Sequence, residues 1–298
     1  MSETSPLVYF KLLLVAFFWG GTWIAGRVAV AEAPPMTVAS WRFFFAVLLL
    51  GALLLKREGR PHWNPGNWVS FALLGLTGVF LYNLFFLNAL KAVEAGRGAL
   101  VVAFIPALVA LADWLFFRVP MTFRRALGVS LAMSGCLLVV TQGNPGRLLG
   151  GELGSGEWML IGTSLAWTAY TLVSRRYAER LSPLALTFGA CLCGWIMLTA
   201  AALAEGHLFA LSGVSWRGAS SIAFLGLFGT AIAFTWYSEG ISRIGSTRSA
   251  AFINLVPVFA VFLGALVLGE RLGAGVLAGG ALVIAGVLLT SRIQFSLR

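Results

Sequence analysis

Seven aromatic side chains stand deep inside apolar stretches of this 298-residue chain: Trp19, Trp23, Tyr82, Trp167, Tyr170, Trp236 and Tyr237. Trp19 and Trp23 are four residues apart, Tyr82 and Phe86 four, Trp167 and Tyr170 three, so each pair shares one helix face. Rings grouped in this way offer apolar contact, stacking for a cyclic solute and attraction for an ammonium; the bland alternative is packing or lipid contact. Polar groups lie in the same stretches. Asn83, Asn88, Thr163, Ser164 and Asn254 have the donors and acceptors to meet an amino or carboxylate group, or to bond between helices. Arg42 is the basic residue well inside an apolar stretch, and an intramembrane charge is costly enough to suggest a function. It is expected either to hold a carboxylate or to pair with Glu32 or Glu270.

The elements that must position these residues are ten apolar runs: 8–30, 36–55, 68–90, 98–117, 123–142, 157–174, 183–204, 216–238, 249–269 and 272–290. Each is close to the roughly 20 residues a helix needs to cross a bilayer. The first is too long, and lacks the small-residue cleavage site, to be a removable signal. Hydrophobic residues make up 59% of the chain, charged residues 11%, and mean hydropathy is +0.90, against about 25% charged residues in a soluble domain. The expected fold is all-α and integral to the membrane, with ten transmembrane helices. Trp63, Trp68, Trp158 and Trp216, near run ends, are expected in the interfacial belt.

The second half repeats the first. Displaced by 151 residues, Gly226, Gly229, Arg248, Pro257, Gly279 and Gly286 fall on Gly75, Gly78, Arg97, Pro106, Gly128 and Gly135; displaced by 148, Trp167, Arg175 and Pro183 fall on Trp19, Arg27 and Pro35. Five runs followed by a copy of five cross the bilayer in opposite senses, which is the inverted-repeat plan of secondary transporters. The repeats are bounded at 1–147 and 148–298 within one membrane domain. Pro106 and Pro257 are expected to kink their spans, as hinge, cavity wall or packing device. The paired glycines are expected to allow close helix approach.

Fourteen of the 21 Lys and Arg lie on the side of the N-terminus and six on the other, with Arg42 between, so both termini are expected in the cytoplasm. The net charge of +10 is spread over short loops, which implies lipid headgroups as partners and no nucleic acid. No GxxxxGK[ST] loop is present, so ATP-driven pumping by this chain is not expected. His62 and His207 lie in or beside loops, and Cys136, Cys191 and Cys193 read as small packing residues; neither set implies a metal, a cofactor or an enzymatic centre.

Trp19-Gly20, Pro35, Arg42-Phe43, Pro257, Gly269-Glu270 and the run Gly279 to Gly286 resemble the EamA type of the drug/metabolite transporter superfamily over nearly the whole chain. The resemblance implies a ten-helix carrier of the inner membrane that exports small metabolites by alternating access, the monomer sufficing for transport. Within the family the chain looks most like exporters of aromatic and other neutral amino acids. An exporter of drugs or organic cations is the alternative, and an integral-membrane enzyme a more distant one. One departure stands out: where the second half has Gly269-Glu270, the first has Arg118-Val119. Substrate contacts are expected at Trp19, Trp23, Tyr82, Asn83, Ser164, Trp167, Tyr170, Trp236 and Asn254, and gating at Pro106 and Pro257.

Overall fold

The structure, a computed structural model, describes residues 6–59, 63–177 and 181–291. Arg60, His62, Arg180, Arg292 and Arg298, and the side chains of Arg175 and Arg248, lie outside the described residues. Every regular element among the described residues is helical. In chain order these are α1 (Pro6–Glu32), α2 (Pro35–Glu58), α3 (Pro65–Ala92), α4 (Ala95–Phe117), α5 (Phe123–Val140), α6 (Ser155–Tyr177), α7 (Pro183–Ala204), α8 (Trp216–Ile244), α9 in two pieces (Ser246–Ile253 and Val256–Leu268) and α10 (Ala274–Ser291). A single helical turn, Gly146–Leu149, joins α5 to α6.

Seven of these helices, α1 to α5, α7 and α8, are long and apolar enough to cross a membrane; Val256–Leu268 and Ala274–Thr290 are shorter apolar helices. Large apolar side chains face outward as well as inward: Phe116 is 70% exposed, Leu266 69% and Phe262 60%. A surface of that kind needs hydrocarbon around it. The helices start where their sequences dictate. Pro35, Pro65 and Pro183 occupy first turns, where a missing N–H costs nothing, and the side chains of Asn64, Thr122, Ser182 and Ser215 cap orphan N–H groups.

Helices α3 and α8 are not regular throughout. Each carries a mid-length stretch of π-helix, Gly75–Leu81 in α3 and Leu227–Ile232 in α8. The prolines also act otherwise than by kinking. α4 breaks at Ala103-Phe104 and α9 at Asn254-Leu255, and Pro106 and Pro257 then sit in the first turn of a new helix. A break is the cheaper solution, because proline inside a continuous helix removes a hydrogen bond and clashes with the carbonyl four residues earlier, whereas at a helix start it does neither.

Glycines decide which backbones touch. Gly128 of α5 lies against Gly286 of α10, and Gly135 against Gly279, so the two helices run antiparallel with their backbones in contact. α2 and α7 are also antiparallel: the Ser40 and Thr199 hydroxyls are 2.8 Å apart, and Gly51 meets Phe188 nearer the other end. α1 packs on α8 and α9, and α6 packs on α3 and α4. In these contacts Gly229 of α8 faces Thr22 of α1, while Gly78 of α3 lies under the Tyr170 ring of α6.

Candidate functional site

The two π stretches flank a buried arginine. Arg42 is 6% exposed on α2, whose backbone Gly226 of α8 approaches closely because it has no Cβ. Its Nη1 donates to Asn83 Oδ1 at 2.9 Å, and Nε and Nη2 each reach Thr230 Oγ1 at 3.3 Å. Thr230 lies within one π stretch and Asn83 just beyond the other. The same side chains serve nearby carbonyls: Asn83 Nδ2 donates to Val79 at 2.7 Å and the Thr230 hydroxyl to Leu225 at 2.9 Å. Asn83 is thereby occupied on both ends, and it positions Arg42.

Among the described residues no carboxylate forms an ion pair with Arg42. The two acids expected as alternatives are engaged elsewhere. Glu32 accepts from the Ser215 N–H at 2.7 Å and its hydroxyl at 2.9 Å, at the start of α8. Glu270 accepts from the Ala95 and Gly96 N–H groups at 2.7 and 2.9 Å, capping α4, with Arg27 Nε 3.8 Å away. A helix N-terminus attracts a carboxylate through unpaired N–H groups and the aligned peptide dipoles, so each acid has a local partner better placed than Arg42. Among the described residues Arg42 is left as a buried cation held by neutral oxygens and the Phe43 ring, 5.1 Å from its guanidinium, with no carboxylate beside it.

Two aromatic groups lie beside it. The first joins three helices: Trp23 meets Phe86 edge-on at 4.8 Å, Phe86 stacks on Tyr82 at 5.5 Å, Tyr82 reaches Trp167 at 5.0 Å, and Trp167 reaches Tyr170 at 5.0 Å. The second joins α1 to α8. Trp19 packs on Phe234 at 5.6 Å and Tyr237 at 5.3 Å, and its indole N–H donates to the Gly229 carbonyl in the π stretch at 3.0 Å. Trp19 and Trp167 thus pack on different helices, α8 and α3, with no ring contact between them among the described residues. Trp236 contacts Phe18 at 6.1 Å, toward the end of α8 that shares a face with the N-terminus. Ser164 donates to Leu160 within α6, and Asn254 forms the break in α9.

Two cavities open on opposite faces. One, of about 480 Å³ on the face of the N-terminus, is walled by Lys11, Leu50, Leu184, Thr187, Phe234 and Glu239 among others. The other, of about 720 Å³, lies near Glu32, Met36, Asn88, Lys91 and His207. None of the nine residues expected to contact substrate lines either cavity, although Phe234 in the first packs directly on Trp19. Sequence reasoning passed over Thr230, whose repeat counterpart is the apolar Val79, and Phe234, whose counterpart is Asn83. The repeat therefore carried no signal for either.

Comparison with known proteins assigns the chain to a family. The sequence model of the EamA-like transporter family matches twice, over residues 6–141 and 154–292. The chain belongs to the EamA-like transporter family. It is similar to the uncharacterized transporter YyaM of Bacillus subtilis, at 29% identity over 287 residues covering 96% of this chain and 94% of that one. It is also similar to the uncharacterized inner membrane transporter YedA of Escherichia coli K12, at 29% over 282 residues covering 94% and 89%. One solved crystal structure shares the fold at a TM-score of 0.64 and 20% identity, covering 97% of this chain and 99% of the other. This EamA-like chain is accordingly a multi-pass membrane transporter, and its buried charge, Arg42 on α2, bonds to one residue from each of the two irregular helices.

Proposed function

We propose that this chain is a ten-span secondary transporter, built as two inverted five-helix halves (1–147 and 148–298), that exports aromatic and other neutral amino acids across the inner membrane by alternating access. Arg42 is the observation that carries the substrate class. A buried guanidinium bonded only to Asn83 and Thr230 keeps its charge uncompensated, which is favourable only if a ligand supplies the anion. The Trp23–Phe86–Tyr82–Trp167–Tyr170 group offers a ring-bearing side chain a stacking surface.

Several contacts support the inverted plan. Gly128 and Gly135 are repeat counterparts of Gly279 and Gly286, and they pair crosswise, Gly128 with Gly286 and Gly135 with Gly279. Ser40 and Gly51 are counterparts of Phe188 and Thr199, and they pair crosswise too. Crosswise pairing is what a pseudo-two-fold axis in the membrane plane requires. The breaks in α4 and α9 supply matched joints for the halves to exchange roles within one chain, which supports transport by a monomer, and the charge asymmetry supports cytoplasmic termini.

The competing reading, export of organic cations, meets the same rings but must bring a cation toward Arg42, and like charges repel in a medium of low dielectric. Flux of labelled phenylalanine and phenethylamine into proteoliposomes tests the choice. The amino acid should be carried and the amine, which lacks the carboxylate, should not; the reverse order overturns the reading. Reporters after Arg298 and near Arg147 should lie on opposite sides of the membrane, and finding both on one side sinks the inverted plan.

A further inference from the structure

The cavity on the face of the N-terminus carries charges that the central node does not use. Lys11 Nζ and Glu239 Oε2 stand 2.8 Å apart in its wall, with 23% and 25% of their side chains exposed. The Lys11 ammonium also lies 5.9 Å from the Trp236 ring centroid. The same wall is apolar at Leu50, Leu184 and Phe234. Arg57, Glu58 and Arg243 line the same cavity but are exposed, and Glu58 accepts from the Ser182 hydroxyl, so Lys11 and Glu239 are the partly buried cation and anion beside the apolar wall, an arrangement complementary to a small molecule with the same three features.

Both side chains are only partly buried and open to the cavity, so a solute can reach the pair, and the cost of separating its partners is offset where the solute supplies a counter-charge to each. A zwitterion that enters between them replaces one ion pair with two and adds no net charge. A simple amine satisfies Glu239 but leaves Lys11 facing a cation, and a simple acid does the converse. Continuity with the central site comes through packing. Phe234 lies on Trp19, the Trp19 indole donates to Gly229, and the next residue, Thr230, holds Arg42.

We propose that Lys11 and Glu239 form a loading site for α-amino acid zwitterions, Lys11 taking the carboxylate, Glu239 the ammonium, and the Phe234 wall the side chain. The inference rests on the amino acid reading of the central site, and it adds two residues and an orientation that Arg42 does not supply.

The test uses the full chain in proteoliposomes of known sidedness, with phenylalanine, phenethylamine and 3-phenylpropionate competing for labelled phenylalanine flux from the face of the N-terminus. In the unsubstituted protein phenylalanine should compete best. Glu239→Gln should raise the KM for phenylalanine about five- to tenfold, with a smaller change in kcat, and abolish the preference for phenylalanine over 3-phenylpropionate. Lys11→Met should raise KM similarly and abolish the preference over phenethylamine. The exchange Lys11→Glu with Glu239→Lys rebuilds the ion pair with its polarity reversed, and KM should stay high. Unchanged KM and preferences in both single variants, or full recovery in the exchange, would mark the pair as a tie between α1 and α8 and overturn the proposal. If the single variants are silent while Arg42→Gln impairs flux, this proposal alone fails. If the unsubstituted protein shows no saturable phenylalanine flux, the amino acid reading fails and this proposal with it.

Discussion

Replacing Arg42 with glutamine separates a functional charge from a structural one, because the two predict opposite effects on stability. The substitution removes one hydrogen bond of 2.9 Å and two of 3.3 Å and leaves Asn83 Oδ1 without its donor. An unsatisfied buried acceptor costs about 1–3 kcal/mol. Against this, the variant no longer buries a cation without a counter-ion, and relief from that desolvation is worth several kcal/mol per ion. The Thr230 hydroxyl keeps its bond to Leu225. Arg42→Gln should therefore unfold at the same temperature as the unsubstituted protein or a higher one. Transport should suffer all the same. A charge-assisted bond between guanidinium and carboxylate is worth about 1.5–3 kcal/mol, so KM for phenylalanine should rise about 10- to 150-fold. Arg42→Lys keeps the charge but loses the planar fork, and should recover part of that affinity. The assays are thermal unfolding in detergent and initial-rate flux in proteoliposomes. A marked fall in unfolding temperature, with flux per folded molecule unchanged, would refute the reasoning and make Arg42 a packing residue.

Three further outcomes follow from the packing. Gly135→Ala sets a methyl 2.5 Å from the Gly279 carbonyl and 2.6 Å from the Val283 nitrogen, both backbone atoms, so it should destabilise the α5–α10 pair by about 1–3 kcal/mol, read as a lower unfolding temperature. Trp19→Phe keeps an aromatic ring but removes the bond to Gly229, and Trp167→Ala removes a ring of the stacked group; both should lower flux while folded protein, judged by size-exclusion profile, stays largely intact. Pro106→Ala and Pro257→Ala should slow turnover more than they raise KM, and cysteines placed near Arg97 and Arg248 should respond to substrate with opposite changes in labelling rate. Substrate-insensitive labelling at both positions would argue for a rigid pathway.

Seven of the helices were legible in the sequence because bilayer thickness sets their length and lipid sets their composition. The ten apolar runs lie within the helices observed, with small differences such as Gln142, which lies past the end of α5. Proline could be read as a disruption but not as a complete break, since that choice depends on what packs around Ala103-Phe104 and Asn254-Leu255. The π stretches left no trace, because a wider turn has no composition of its own and is decided by the neighbours: Arg42 backbone against Gly226, the Tyr170 ring against Gly78. Arg42 stood out by its charge. Its partners did not, because Glu32 and Glu270 are drawn to helix ends that exist only once the chain has folded.

Each π stretch also has a bookkeeping consequence for the helix that contains it. A turn closed by i→i+5 bonds holds one more residue than an α turn, so the residues after it are rotated by about 100° from where a continuous α-helix would carry them. In α3 the stretch ends at Leu81, two positions before Asn83; in α8 it contains Thr230. Deleting a single residue between Gly75 and Leu81 would let α3 close as an ordinary helix of nearly unchanged length, yet swing Asn83, Phe86 and everything beyond to a different face. Among relatives of this chain, a one-residue gap at that point would carry more information than a substitution in the site itself. It would mark a protein whose third helix presents another set of side chains to the same path.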